Sequence, residues 1–187
     1  MVGPFPTPAQ VQPDGRFQIE NVGPGEYQVA VPGLGAGPTP AGLNIGQALY
    51  VKEARFGSID VLSETLTIAG PVSGDLQIVL AGNAGQIRGT VTDERLQPAS
   101  RIQVVFIPVR RERRDLYKMG MTEASGQFTL QGVPPGSYKA FAIDPAEMTS
   151  FFDPAVMQKF EPRGQAVNVA ESSNLTVDLK VIRSPQK

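Results

Sequence analysis

The sequence of 187 residues contains no cysteine, no histidine and no tryptophan. Without histidine and cysteine, a protein cannot build the Ser-His-Asp and Cys-His catalytic groups or the usual zinc sites. Its 17 Lys+Arg and 18 Asp+Glu residues give a formal net charge of −1, so no basic field exists to attract nucleic acid or an anionic membrane. These absences exclude most common enzyme designs and a nucleic-acid partner.

Long apolar runs are also missing. Stretches such as 104–108 fall far short of the roughly 18 residues that span a bilayer, so we expect no membrane insertion. The first six residues lack the basic and apolar regions of a signal peptide. Glycine and proline are plentiful, at 20 and 17 residues, and 41% of the chain is hydrophobic. This composition is typical of an all-β protein with many turns and a sufficient core.

An internal repeat organises the chain. The segment 14–30 recurs at 125–141, with Phe17 matching Phe128 and Tyr27 matching Tyr138 at a constant offset of 111 residues. Each copy reads as a turn, a strand that alternates apolar and polar residues, a Pro-Gly turn and a second alternating strand. The first copy thus predicts strands around Phe17 and Ile19 and around Tyr27, Val29 and Val31.

The second copy reads as a complete sandwich. Its seven predicted strands are 86–92, 102–109, 117–122, 127–130, 137–143, 166–169 and 175–181. Asp153-Pro154 predicts the start of a short helix, with Val156, Met157 and Phe160 facing inward. The turn sequence at 82–85 separates the copies, which places a partial β-sandwich at 1–82 and a complete one at 85–187.

The first copy is shorter at its front. Only 13 residues precede the Asp14-Gly15 turn, whereas about three strands precede the matching turn at Ser125-Gly126. About two strands are therefore missing, which would leave an open sheet edge in the first repeat. We expect either a fragment of a longer tandem array, the favoured interpretation, or a unit completed by a partner strand. Self-association through the open edge is a further expectation.

The motifs of the second copy resemble the carboxypeptidase regulatory-like domain family. The segment 89–93, GTVTD, matches the family's G-x-V-x-D strand, and 132–138, GVPPGSY, matches its G-V-P-P-G-x-Y element. The resemblance covers most of 85–182 and, without the opening strands, 14–81. It implies two tandem seven-stranded, Greek-key, prealbumin-like β-sandwiches of the carbohydrate-binding-like group. Such modules are mostly found in secreted or cell-envelope bacterial proteins and have no catalysis of their own.

Two other patterns resemble ligand-binding sites, but neither is specific for one. The glycine-rich segment 33–37 superficially resembles a phosphate loop, but Pro38 and Pro40 follow where a helix would have to begin. Asp144, Glu147 and Asp153 share one loop without the close spacing of a calcium site, so solvated carboxylates are favoured. Neither pattern predicts a resident ligand.

The contact residues that we predict are four arginines and three aromatic residues. The arginines lie at the tip of a hairpin, where their guanidinium groups either are solvated or contact an anion, an acidic glycan or a partner protein. The aromatic residues either anchor loops or form an exposed platform for a sugar ring. The set is Arg110, Arg111, Arg113, Arg114, Tyr117, Phe151 and Phe152.

The absent residue types, together with the repeat and the family resemblance, lead us to predict a protein that is not an enzyme and holds no cofactor or metal. The sequence therefore predicts a non-catalytic module that serves as a spacer or a protein-interaction domain. The family resemblance implies an extracytoplasmic location, which is periplasmic, cell-surface or secreted. A carbohydrate-binding module is the alternative, and a protein or a glycan is the expected partner.

Overall fold

The computed structural model describes residues 9–29, 31, 49–70, 74–147 and 153–183. The chain is mostly β and divides into two compact units. The first unit draws its described residues from Met1–Ala30 and Glu53–Ile78, and the second from Val31–Lys52 and Val79–Lys187. The boundary that the sequence suggests, between 1–82 and 85–187, stays a prediction.

The first unit contains short strands. They are β1 Gly25–Tyr27, β2 Tyr50–Phe56, β3 Ile59–Asp60, β4 Leu66–Ile68 and β5 Leu76–Ala81, with β2 and β5 running across the division between units. Strand β1 pairs with β4 in antiparallel fashion, and β2 lies between β3 and β5. A two-residue turn joins β2 to β3, because Phe56 pairs with Ile59. Gly57 in this turn has a φ of 59°, which glycine adopts without strain.

The second unit is the sandwich that the sequence predicts. Its strands are β6 Gly85–Thr92, β7 Gln103–Pro108, β8 Lys118–Met121, β9 Gln127–Val133, β10 Gly136–Ile143, β11 Gln165–Val169, β12 Asn174–Thr176 and β13 Leu179–Ile182. All seven predicted strands are present, and the last is divided into β12 and β13. Helix α1 spans Pro154–Gln158, and the Asp153 carboxylate accepts the N–H of Ala155, which confirms the predicted helix start.

Strand β13 joins the two sheets of the second unit. One sheet contains β9, β6 and β12, and the other contains β8, β7, β10 and β11. Strand β13 runs parallel to both β6 and β10, with Leu179 opposite Val91 and Val181 opposite Ala142. The last strand therefore leaves the first sheet and enters the second.

The core of the second unit has two layers. Between the sheets lies an inner cluster that includes Phe106, Phe128 and Tyr138, whose rings pack at centroid distances of 6.5 and 6.4 Å from Phe106. On the outer face of β7 and β10 lies an outer cluster, which Met157 and Phe160 cover. Both are buried, as predicted, and Val156 packs against the same cluster. Strand β7 is consequently buried on both faces.

The first repeat departs from the prediction at its opening strand, and its second strand, β1, ends at Tyr27 and does not include Val29 or Val31. The turn forms, since Gly15 donates its N–H to the Gln12 carbonyl, but the predicted strand through Phe17 and Ile19 is wrong. Ile19 is 40% exposed, whereas its counterpart Leu130 is 5% exposed. In the second repeat this strand pairs with β6. Among the described residues, 9–13 form no strand that could serve as that partner.

Both repeats share one tyrosine hydrogen bond. The hydroxyl of Tyr27 donates to the Gly23 carbonyl and that of Tyr138 to the Pro134 carbonyl, each at 2.8 Å. In both repeats the acceptor is the carbonyl of the residue four positions earlier, so the same hydrogen bond forms at equivalent positions of the two copies. The second copy is buried, and the first is not.

We expect the two tyrosine bonds to differ in their effect on stability. Tyr138→Phe leaves the Pro134 carbonyl without this donor in the core, and it should lower the free energy of unfolding by about 1–2 kcal/mol. Tyr27→Phe should cost less than about 0.5 kcal/mol, because water can replace the lost donor. Urea denaturation followed by circular dichroism measures both. Equal losses in the two variants would contradict this assignment.

Candidate functional site

The loop between β7 and β8 carries five of the predicted contact residues. The two strands pair in antiparallel fashion from Gln103 opposite Met121 to Phe106 opposite Lys118, which confirms the hairpin. A single turn of 3-10 helix, Arg114–Leu116, closes the loop.

The arginines of this loop form ion pairs within the protein. Arg110 pairs with Glu112 at 3.0 Å, Arg111 with Glu161 at 2.7 Å and Arg113 with Asp115 at 2.7 Å. Arg113 is 8% exposed, and its Nε also donates to Asp115 Oδ1 at 2.8 Å, so the pair is bidentate. Part of the predicted contact surface therefore stabilises its own loop.

Arg113 lies in a polar cluster with Asp115, Lys118 and Tyr138. Its guanidinium group makes a long hydrogen bond of 3.4 Å to the Val51 carbonyl. Burial raises the pKa of Tyr138, and the Asp115 charge raises it further. Burial lowers the pKa of Lys118, although Asp115 opposes this effect. Sequence reasoning missed this cluster, and its only signal is the pairing of opposite charges two positions apart at 113 and 115.

Glu161 fastens the loop to the sandwich. Its two carboxylate oxygens accept hydrogen bonds from Lys139 at 2.8 Å and from Arg111 at 2.7 Å. Burial raises the pKa of Glu161, but the hydrogen bonds from Lys139 and Arg111 outweigh it, so the pKa lies below its ordinary value of 4.5. This carboxylate joins the loop, strand β10 and the segment after helix α1.

We expect Glu161 to contribute to acid sensitivity. Because its pKa is lower in the folded protein, its contribution is present above the unfolded value of 4.5 and is lost as the pH falls through the folded value. Glu161→Gln should therefore be less stable than the wild type near neutral pH, and the difference should shrink on acidification. We expect about 1 kcal/mol or less, since the side chain is partly exposed. Denaturation at several pH values tests this, with the exposed Glu94→Gln as the charge-matched control; a difference independent of pH would contradict it.

Of the three aromatic candidates, Tyr117 lies in the described part of the chain. Tyr117 is half-buried, packs against the outer cluster and donates its hydroxyl to the Arg111 carbonyl at 3.3 Å. Burial raises the pKa of Tyr117, and the nearby charges of Arg111 and Arg114 oppose this. Phe151 and Phe152 lie outside the described residues, as does the glycine-rich segment 33–37.

Two of the three carboxylates predicted to be solvated in the 144–153 loop accept hydrogen bonds from nearby backbone N–H groups. Asp144 accepts the N–H of Ala146 at 3.0 Å, as Asp153 does for Ala155. Within the ranges that the structure describes, no three acidic residues gather into a group that could hold a metal ion.

A groove lies beside β10 in the second unit. It has a volume of about 540 Å³ and is lined by charged groups, including Glu94, Arg163 and Lys180, and by the small residues Ala140 and Ala142. Its charges are of both signs, so it has no strong preference for a cation or an anion.

Comparisons with known proteins assign no family. No family model matches the chain, and no curated protein matches it. Among solved structures, it is similar to the Bacillus anthracis TIE protein, with 12% identity over 62% of this chain and 20% of that one, and a TM-score of 0.35. It is also similar to BcpA, the major pilin subunit of Bacillus cereus, with 12% identity over 58% and 34% and a TM-score of 0.34. For the group B streptococcus pilus 2b backbone protein the identity is 15% over 60% and 47%, and the TM-score is 0.31.

This chain therefore spans less than half the length of each of these three proteins. None of the helices in the described ranges is long and apolar enough to cross a membrane. The assignment that the structure supports is a β-sandwich fold.

Proposed function

We propose that the chain is a non-catalytic, extracytoplasmic module of a bacterial secreted or cell-envelope protein, in which the second unit serves as a spacer. The carrying observation is the internal pairing of the arginine loop, where Arg111 and Arg113 bind Glu161 and Asp115. Side chains that could contact a ligand instead stabilise the loop, through Arg113 and Asp115, and join it to the sandwich, through Arg111 and Glu161. A compact unit in which strand β7 is buried on both faces is suited to maintaining a fixed separation.

A distance measurement tests the spacer function directly. Because the chain has no cysteine, Gly82→Cys with Arg183→Cys provides two unique sites for spin labels. Strands β6 and β13 run parallel, so these sites lie at opposite ends of the paired strands, and we expect one narrow distance distribution at roughly 30–40 Å. Double electron–electron resonance measures it. A broad distribution would overturn the spacer function.

The protein-interaction part of the proposal rests on the first repeat. Ile19 is exposed where the equivalent Leu130 is buried, so an apolar side chain is left for a partner or a second copy of the chain. We propose self-association at this surface. The solution mass should rise with protein concentration, and Ile19→Asp should abolish the rise; a monomer at all concentrations would contradict it.

A carbohydrate-binding module remains the second candidate, because the groove beside β10 contains polar side chains, among them Arg163 and Gln165, that can bind hydroxyl groups. Affinity electrophoresis on a polysaccharide panel distinguishes the two. The spacer proposal expects no retardation. Saturable retardation that is lost in Arg163→Ala but kept in Arg110→Ala would favour the glycan function.

A further inference from the structure

The first and last strands of the second unit form a parallel pair. Strand β6 opens the unit, and β12 and β13 close it; Asn174 lies opposite Gln86, and Lys180 lies opposite Thr92. We call these three strands the parallel clamp. The chain enters the clamp at the start of β6 and leaves it at the opposite end, after β13.

This arrangement determines how a pulling force would act on the unit. Tension between residues 82 and 183 pulls β6 toward its amino end and β13 toward its carboxyl end. Because the strands are parallel, these directions are opposite and lie along the strand axes. The hydrogen bonds between the strands are then loaded together in shear rather than broken one after another.

Hydrogen bonds along the clamp would share that load. Gln86 donates its N–H to the Ser173 carbonyl, and Val177 donates its N–H to the Arg88 carbonyl, each at 2.8 Å. A side chain adds a third connection, since the N–H of Thr90 donates to Asp178 Oδ1 at 3.1 Å. This last bond spans the place where β12 ends and β13 begins, so the clamp remains connected across the interruption.

We propose that the second unit is a load-bearing module, in which the parallel clamp resists tension along the chain. This inference deepens the proposed spacer function and rests on it. A spacer must keep a separation, whereas a load-bearing module must also keep it under force. The force would be transmitted to the unit by the flanking polypeptide. The contacts between β6 and β12–β13 would resist it.

Force spectroscopy on the full chain tests the geometry. The variant with Gly82→Cys and Arg183→Cys loads the clamp in shear, and a second variant with Gly82→Cys and Glu171→Cys loads it at one end, so that the strands peel apart. All three sites are exposed. We expect a clearly higher unfolding force in the shear geometry than in the peeling geometry. Equal forces, or a lower force in shear, would overturn the proposal.

A side-chain variant tests the clamp itself. Under constant force in shear, Asp178→Ala should unfold about tenfold faster than the wild type. The wild type must break a hydrogen bond to a charged group before the strands separate, and the variant lacks this bond. Asp178→Asn keeps an acceptor oxygen and should unfold close to the wild-type rate. The matched control is Asp153→Ala, which removes one carboxylate bond to a backbone N–H outside the clamp and should leave the rate under shear unchanged.

The outcomes separate the two proposals. If Asp178→Ala and Asp153→Ala unfold at the same rate under shear, the clamp does not bear the load, and the inference is wrong. The spacer function would survive that result provided that the spin-label distance between residues 82 and 183 is narrow. A broad distance distribution removes both.

Discussion

Gly89→Ala should destabilise the second unit by about 3–5 kcal/mol, the largest loss that we expect from a single methyl group. A Cβ atom at this position would lie 1.8 Å from the Val177 carbonyl oxygen and 2.8 Å from a ring carbon of Phe128. The first contact is with backbone, which cannot turn away as a flexible side chain can. Relief would require β6 to move from the segment that connects β12 and β13.

The control for this prediction is Gly82→Ala. The nearest atom to its added Cβ is a methyl carbon of Leu49 at 3.4 Å, which is an ordinary contact distance. We expect a change within about 0.5 kcal/mol. Urea denaturation followed by circular dichroism measures both variants, and the soluble yield reports a failure to fold. If Gly89→Ala had the same denaturation midpoint as the wild type, β6 and the segment between β12 and β13 would separate more easily than their close contact indicates.

The strands of the second unit were predictable because each carries its own local signal. Phe128 and Leu130 alternate with polar residues, and turn residues bound each strand, so pattern and structure agree. The division of the last strand carried no such signal. Residues 175–179 alternate without interruption, and the break occurs because the Val177 carbonyl fits against Gly89, almost ninety residues earlier. Gly89 reads in the sequence only as part of a strand motif.

In the first repeat, by contrast, the sequence pattern predicts a strand that does not form. Its residues 17–19 carry the same alternation as their counterparts in the second repeat, yet they form no strand. Alternation specifies which face of a strand is apolar, but it cannot supply the neighbouring strand that completes the hydrogen bonds. The tyrosine bond to the residue four positions earlier survives in both repeats, because it depends on one short segment alone.

The arginine loop was predictable as a loop and not as an ion-paired structure. Alternating charges at 110–115 suit a solvated tip as well as a set of internal pairs. Distant residues decide between these two alternatives, since Arg111 contacts Glu161 and Arg113 contacts the Val51 carbonyl, 62 positions away. Burial of Arg113 is therefore a tertiary property that no local pattern encodes.

Arg113→Ala should accordingly act on folding rather than on ligand binding. The substitution leaves the Asp115 carboxylate, whose side chain is 26% exposed, without its bidentate partner, and it removes a donor to the Val51 carbonyl. We expect the free energy of unfolding of the second unit to fall by about 2 kcal/mol, less than for a fully buried pair because Asp115 keeps some solvent contact.

A double-mutant cycle separates the ion pair from the loss of packing. Arg113→Ala with Asp115→Ala removes both charges, so part of the lost stability should return relative to Arg113→Ala alone. The exposed Arg110→Ala is the matched control, and it should change stability by less than about 0.5 kcal/mol. Denaturation of the wild type, Arg113→Ala, Asp115→Ala and the double variant in one buffer gives the coupling free energy. If Arg113→Ala is as stable as Arg110→Ala, the guanidinium group does not hold the loop, and its contact with a ligand again becomes the reason for its position.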